Sequence, residues 1–138
     1  MLTIHLPFLN FILIDFLYYW QHRSFHAVSM LWNLHLCHHS APRVDIWSTS
    51  RNNLCVNFLF VYLLLNPLLG YCCDNQNGFF AAAMITASLD IWRHTQIKLP
   101  NAAKNISKLI GIFFVTPAMH RSHHNMAVTS HNFGANLI

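Results

Sequence analysis

Apolar residues dominate three stretches of this chain, 2–20, 54–71 and 79–92, and polar residues gather between them. A bilayer-spanning helix needs about 17–25 largely apolar residues. Only 54–71 is cleanly apolar: 2–20 carries His5, Pro7, Asn10 and Asp15, while 79–92 is short and ends near Asp90. The pattern predicts helices throughout. One long helix or two should cover 8–39 and stop at "SAPR", where Pro42 forbids continuation. A polar connector, "VDIWSTSRNN", leads into an apolar hairpin with arms 54–71 and 79–97 around a Gly/Asn turn. A short apolar helix over 103–115 follows the break "KLPN", and Pro117 opens the next segment, as proline does in a first helical turn. The tail "TSHNFGANLI" reads as a turn entering a further apolar element.

Composition sharpens this into a membrane reading. The 138 residues suit one domain, 1–138, and are 54% hydrophobic but only 9% charged, against roughly a quarter charged in soluble domains. The expected fold class is all-α, an integral membrane helical bundle; in a soluble protein the same runs would be buried core helices. "MLTIHLPFLNFILI" lacks the basic start and small-residue cleavage site of a signal peptide. None of the eight Lys and Arg residues lies between 52 and 92, so the hairpin points away from the cationic side. The positive-inside rule makes that cationic side cytoplasmic, in a bacterial inner membrane or the endoplasmic reticulum. Anionic headgroups account for the formal charge of +4 without any nucleic acid. Cys37, Cys55, Cys72 and Cys73 show no C-x-x-C spacing and read as reduced packing residues.

The candidate chemistry lies in the histidines. His22 and His26 form H-x-x-x-H, His35, His38 and His39 form H-x-x-H-H, His94 stands alone, and His120, His123 and His124 repeat H-x-x-H-H. Residues three and four apart are neighbours on a helix surface, so each cluster is expected to aim at one point. Ionisable groups in apolar surroundings are costly and tend to be functional. Two metal ions would employ eight or nine such imidazoles, whereas one structural zinc takes four ligands. His5 and His131 read as ordinary side chains. Asp15, two turns before His22, and Asp90, one turn before His94, are placed to accept the other N–H of a ligating histidine. Imidazole suits iron, copper, zinc and nickel alike, which leaves the metal open. Bis-histidine haem binding needs single histidines on facing helices and fits poorly.

"DFLYYWQHRSFH", "LWNLHLCHHSAP", "IWRHTQIKLP" and "VTPAMHRSHHN" together resemble the successive motifs of the fatty acid hydroxylase/sterol desaturase superfamily, over about residues 15 to 134. The resemblance implies a membrane-embedded, non-haem di-iron enzyme that hydroxylates or desaturates a lipid with O2 and two electrons. It makes His22, His26, His35, His38, His39, His94, His120, His123 and His124 the ligands of two iron ions, with zinc as a substitute occupant. It also draws in Asp45, Ser48 and Arg51, and it matches Asn132, Phe133 and Gly134 to an Asn-Tyr-Gly element near the site. Ser130 stands where the family usually has an acidic residue. Members normally have further N-terminal helices and a further C-terminal segment, so the chain is expected to be a fragment of such a domain.

No glycine-rich dinucleotide fingerprint is present, so reducing equivalents must come from a partner. The resemblance implies a cytochrome b5 or ferredoxin-type donor fed by NAD(P)H, and a membrane lipid as substrate. Tyr18, Tyr19, Trp20, Trp32, Trp47 and Trp92 read as interface belt or core rather than as substrate wall. Two competing readings remain: a histidine-rich membrane protein that binds or transports metal without redox chemistry, and a non-catalytic fragment of the family.

Overall fold

A computed structural model of the chain describes residues 6–59, 61–72, 76–98, 100, 103–125 and 132–137. His5, Cys73, Asp74, Ser130 and His131 lie outside the described residues. Within them the architecture is helical, with no strand beyond the isolated antiparallel bridge Phe114–Leu137.

The predicted 8–39 region forms two helices, α1 Leu6–Ala27 and α2 Ser29–His39. They part at Val28, whose φ of −110° and ψ of 117° are extended. Val28 is β-branched, which lowers its helix propensity. Its N–H still reaches Ser24 O at 3.0 Å and its carbonyl still accepts from Trp32 N at 2.8 Å, so the chain bends without stranding those groups. α2 ends with Ser40 N on Leu36 O, two residues before Pro42.

The connector winds into a 3-10 turn, Ile46–Ser50. The predicted hairpin then appears as α3 Leu54–Leu59 and α4 Val61–Cys72 on one side and α5 Gln76–Arg93 on the other. Gly70 of α4 lets the arms close, since a Cβ there would stand 2.8 Å from the Phe79 ring of α5. α1 is the hub, packing against α2, α4 and α5.

The predicted 103–115 helix is shorter than expected. α6 runs Lys104–Ile110 and ends at a turn beginning with Gly111. Residues 114 and 115 then leave helical geometry to pair with the tail: Phe114 bridges Leu137, and Val115 N donates to Asn136 O at 2.9 Å. α7, Pro117–His123, starts with proline in its first turn and a Thr116 cap that accepts from Met119 N.

The distribution of polarity is inverted relative to a soluble domain. Eight of the nine clustered histidines are buried and His26 is half-buried, while Phe16, Leu64, Leu68, Met84 and Ile85 are exposed. Among the described residues no helix is long and apolar enough to cross a membrane. α1 has the length, at 22 residues, but carries Asp15, His22, Arg23 and His26, and α4 has only 12 residues. The packing role read for the cysteines is also corrected: Cys37, Cys55 and Cys72 are free and exposed.

Candidate metal centre

All nine clustered histidines are drawn to one end of the bundle, in two groups. His22, His26, His35, His39 and His123 form one, and His38, His94, His120 and His124 form the other; in each group, ligand nitrogens lie within 4.8 Å of one another. The expectation that each cluster aims at one point holds for His22 and His26, which share the five-membered group, and is corrected for the two triplets. Successive α-helical residues are turned by about 100°, so i and i+4 diverge by only about 40° whereas i+3 and i+4 diverge by about 100°. Each H-x-x-H-H therefore forks. From α2, His35 and His39 join the five-membered group and His38 the other; from α7, His120 and His124 join the four-membered group and His123 the five-membered one. The two triplets thus divide in opposite senses.

Two backbone carbonyls fix the ring protons. The Nδ1–H of His22 donates to Phe133 O at 3.0 Å, and that of His94 to Asp90 O at 2.8 Å. A carbonyl only accepts, so each ring keeps its proton on Nδ1 and turns a bare Nε2 lone pair inward. His22 Nε2 lies 3.1 Å from His123 Nε2, and His94 Nε2 lies 2.9 Å from His120 Nε2, itself 3.1 Å from His124 Nε2. Burial, aided by neighbouring imidazoles, pushes His26 down to about 4 and His35 and His124 to about 3, and it holds His22, His38, His39 and His120 below their ordinary range. Neutral imidazole is the form that ligates metal.

These rings fit a metal better than they fit each other. Seven buried nitrogens, on His26, His35, His38, His39, His120 and His124, have no hydrogen-bond partner. At about 1–3 kcal/mol for each buried unsatisfied group, they would cost on the order of 10 kcal/mol. That rivals the whole stability of a small domain, about 5–15 kcal/mol, and metal ligation, which takes one nitrogen from each ring, would offset part of it.

The other predicted residues divide. Asp15 accepts from no imidazole; its carboxylate takes the N–H groups of Asn136 and Leu137 at 2.8 and 3.0 Å and Asn136 Nδ2 at 3.0 Å. Asp90 serves His94 through its backbone oxygen, while its carboxylate pairs with Arg93 and stands 3.6 Å from His94 Nδ1. Asp45 caps the 3-10 turn, accepting from Trp47 N and Ser48 N, and Ser48 Oγ accepts in return from Asp45 N. Arg51 donates to Cys37 O at 3.2 Å and to Ser40 Oγ at 3.1 Å, closing the C-terminal end of α2. Asn132 adopts a φ of 64°, a left-handed conformation that asparagine tolerates, and its side chain reaches Met119 O at 3.5 Å.

Sequence reasoning missed Arg93. It is 3% exposed, with its guanidinium 5.6 Å from the Tyr18 ring centre, and its only sequence signal is the i, i+3 spacing from Asp90. The Tyr18 ring in turn lies 5.4 Å from that of His22, beside the site rather than in a peripheral belt. Aromatic rings wall the five-membered group: Trp32 lies 5.0 Å from His26 and 5.2 Å from His39, and Phe133 lies 5.2 Å from His26. A cavity of about 350 Å³ reaches both groups, touching His35 of one and His38 and His94 of the other, with Asn52 and Leu63 on its walls.

A family model described as fatty acid hydroxylase matches residues 7–138. Alkylglycerol monooxygenase of Xenopus tropicalis is 28% identical over 132 residues, covering 94% of this chain and 28% of that protein. The Homo sapiens protein of the same name is 26% identical over 114 residues, 83% of this chain and 24% of its own length. The chain thus spans about a quarter of the length of these relatives. No solved structure matches.

Proposed function

The chain belongs to the fatty acid hydroxylase family, and from that premise we propose that it forms the metal centre of an O2-dependent, di-iron oxidoreductase acting on a membrane lipid. The observation that carries the proposal is the pair of buried histidine groups, five and four imidazoles, side by side within the matched region. The name of the relatives favours hydroxylation over desaturation and an alkylglycerol-like substrate.

Iron held by the two groups would supply the activation of O2 and the attack on an unactivated C–H bond; zinc in its place would give an inert form. The chain's own residues do the rest. Phe133 O and Asp90 O keep the protons of His22 and His94 on Nδ1, so that Nε2 is free to ligate. Burial keeps the imidazoles neutral and limits water around them. The cavity between His35, His38 and His94 offers the one place, among the cavities described, where a carbon atom meets both groups, and Leu63 of α4 continues its wall toward the apolar arms.

The exposed apolar side chains of α1, α4 and α5 support placement in a membrane, whether a bacterial inner membrane or the endoplasmic reticulum. Arg43, Lys98 and Arg121 gather beside His124, which favours a cytoplasmic position for the centre. Electrons enter from an external donor, in this reading a cytochrome b5 or ferredoxin-type carrier fed by NAD(P)H. The test is incubation of iron-loaded protein in detergent with 18O2, NAD(P)H, candidate donors and a lipid extract. One 18O per product molecule is the expected result. Metal bound with no oxygen consumed under any donor would instead favour the metal-storage reading.

A further inference from the structure

Residues 132–137 form a strap with no helix of its own, yet the carbonyl that orients His22 comes from it. Three observations show what holds the strap. Asp15, 4% exposed, gathers three N–H groups from it, with Oδ1 accepting from Asn136 N and Asn136 Nδ2 and Oδ2 from Leu137 N. Leu137 pairs with Phe114, and Asn136 O accepts from Val115 N. Gly134 permits the tight path between, because a Cβ there would stand 1.9 Å from Leu137 O. Asp15 and His22 are seven residues apart on α1, two turns along one face. The helix that carries the ligand thus also carries the anchor of the strap.

We propose that Asp15 is a positioning residue for the five-histidine group: by clamping residues 136 and 137 it sets Phe133 O, which fixes the Nδ1 proton of His22 and aims its Nε2 at the ion. The four-histidine group takes its corresponding carbonyl from Asp90, within α5, so the proton of His94 is set without the strap, which reaches this group less directly, through the pairing of residues 114 and 115 ahead of α7. The inference rests on the reading of the two groups as metal sites.

Asp15→Asn keeps the size of the side chain but sets an NH2 against one of the N–H groups it must accept. Titration of the metal-free protein in detergent with Co2+ should resolve two binding events in the wild type. In Asp15→Asn the event belonging to the five-histidine group should weaken by about 10–100-fold, the range for loss of a ligand-orienting partner, while the other shifts clearly less. Asn136→Ala, which removes one of the three bonds and leaves the two backbone donors, should shift the same event less. The second readout needs no metal: in 15N-histidine NMR spectra the Nδ1 proton of His22 should exchange with solvent faster in both variants, while that of His94 does not. Equal weakening of both binding events, or unchanged binding with unchanged exchange at His22, would overturn the proposal. A wild type that binds no Co2+ would count against the metal reading, and the exchange comparison would still decide the strap.

Discussion

The two histidine groups differ in how they are held. The four-membered group hangs on a local device: His94 donates to the carbonyl four residues before it, so one turn of α5 sets the ring. The five-membered group hangs on a distant one, because His22 donates to Phe133 across 111 residues of chain. Among the described residues the local group brings together four imidazoles, the number a tetrahedral site takes, whereas the distant one brings together five. Local positioning accompanies the smaller set, and the group that relies on tertiary structure carries an extra imidazole.

Removing both ions with a chelator should have the largest effect and erase the difference between the groups. Structural metal sites contribute about 10–16 kcal/mol, so thermal unfolding in detergent should show the stripped protein melting far below the loaded one or already unfolded. Single ligand losses should then separate the groups. His94→Ala leaves three imidazoles and should abolish one ion by metal analysis. His26→Ala leaves four and should retain both ions with affinity lowered no more than the ~10–100-fold seen for outer partners.

Acid should separate them further. The buried imidazoles sit below 6.5 in the fold, so the unfolded chain takes up protons first as pH falls. Stability and metal retention should be complete above about pH 6.5 and decline progressively below it. His26, half-buried and protonating at about 4, should yield before His35 and His124 at about 3. Because four imidazoles remain once His26 is protonated, this first step should take up a proton without freeing an ion, and release should follow only at lower pH, measured as metal freed against pH. The smallest effect belongs to Asp45→Ala, which removes the cap of the 3-10 turn: stability should fall by about 1 kcal/mol in chemical unfolding, with both ions kept.

Much of the fold was legible because helices announce themselves locally. Pro42, Pro117 and the run of apolar residues place α2, α7 and the hairpin arms near where they are found. The break at Val28 and the early end of α6 were not legible, since the first is a bend inside a helical pattern and the second is set by Leu137 pairing with Phe114. At the site, spacing showed which histidines would share a helix face but not how the triplets fork, because that depends on where α1 and α5 stand. Asp90 was marked by its offset from His94 and Phe133 by the resemblance, but that their backbone carbonyls do the work had no signal: every residue carries one, and only the fold selects which two face a ring. Asp15 was drawn to notice by its offset from His22, yet it works on the backbone of Asn136 and Leu137.

The central claim is that nine histidines make two sites that share α2 and α7 in opposite senses. Metal counting on paired variants tests it most directly. Wild-type protein should hold two ions per chain, His38→Ala/His94→Ala should keep only the ion of the five-membered group, and His35→Ala/His39→Ala only that of the four-membered group. If His35→Ala/His39→Ala and His38→Ala/His94→Ala each lost both ions, or each kept both, the division into two sites would be contradicted.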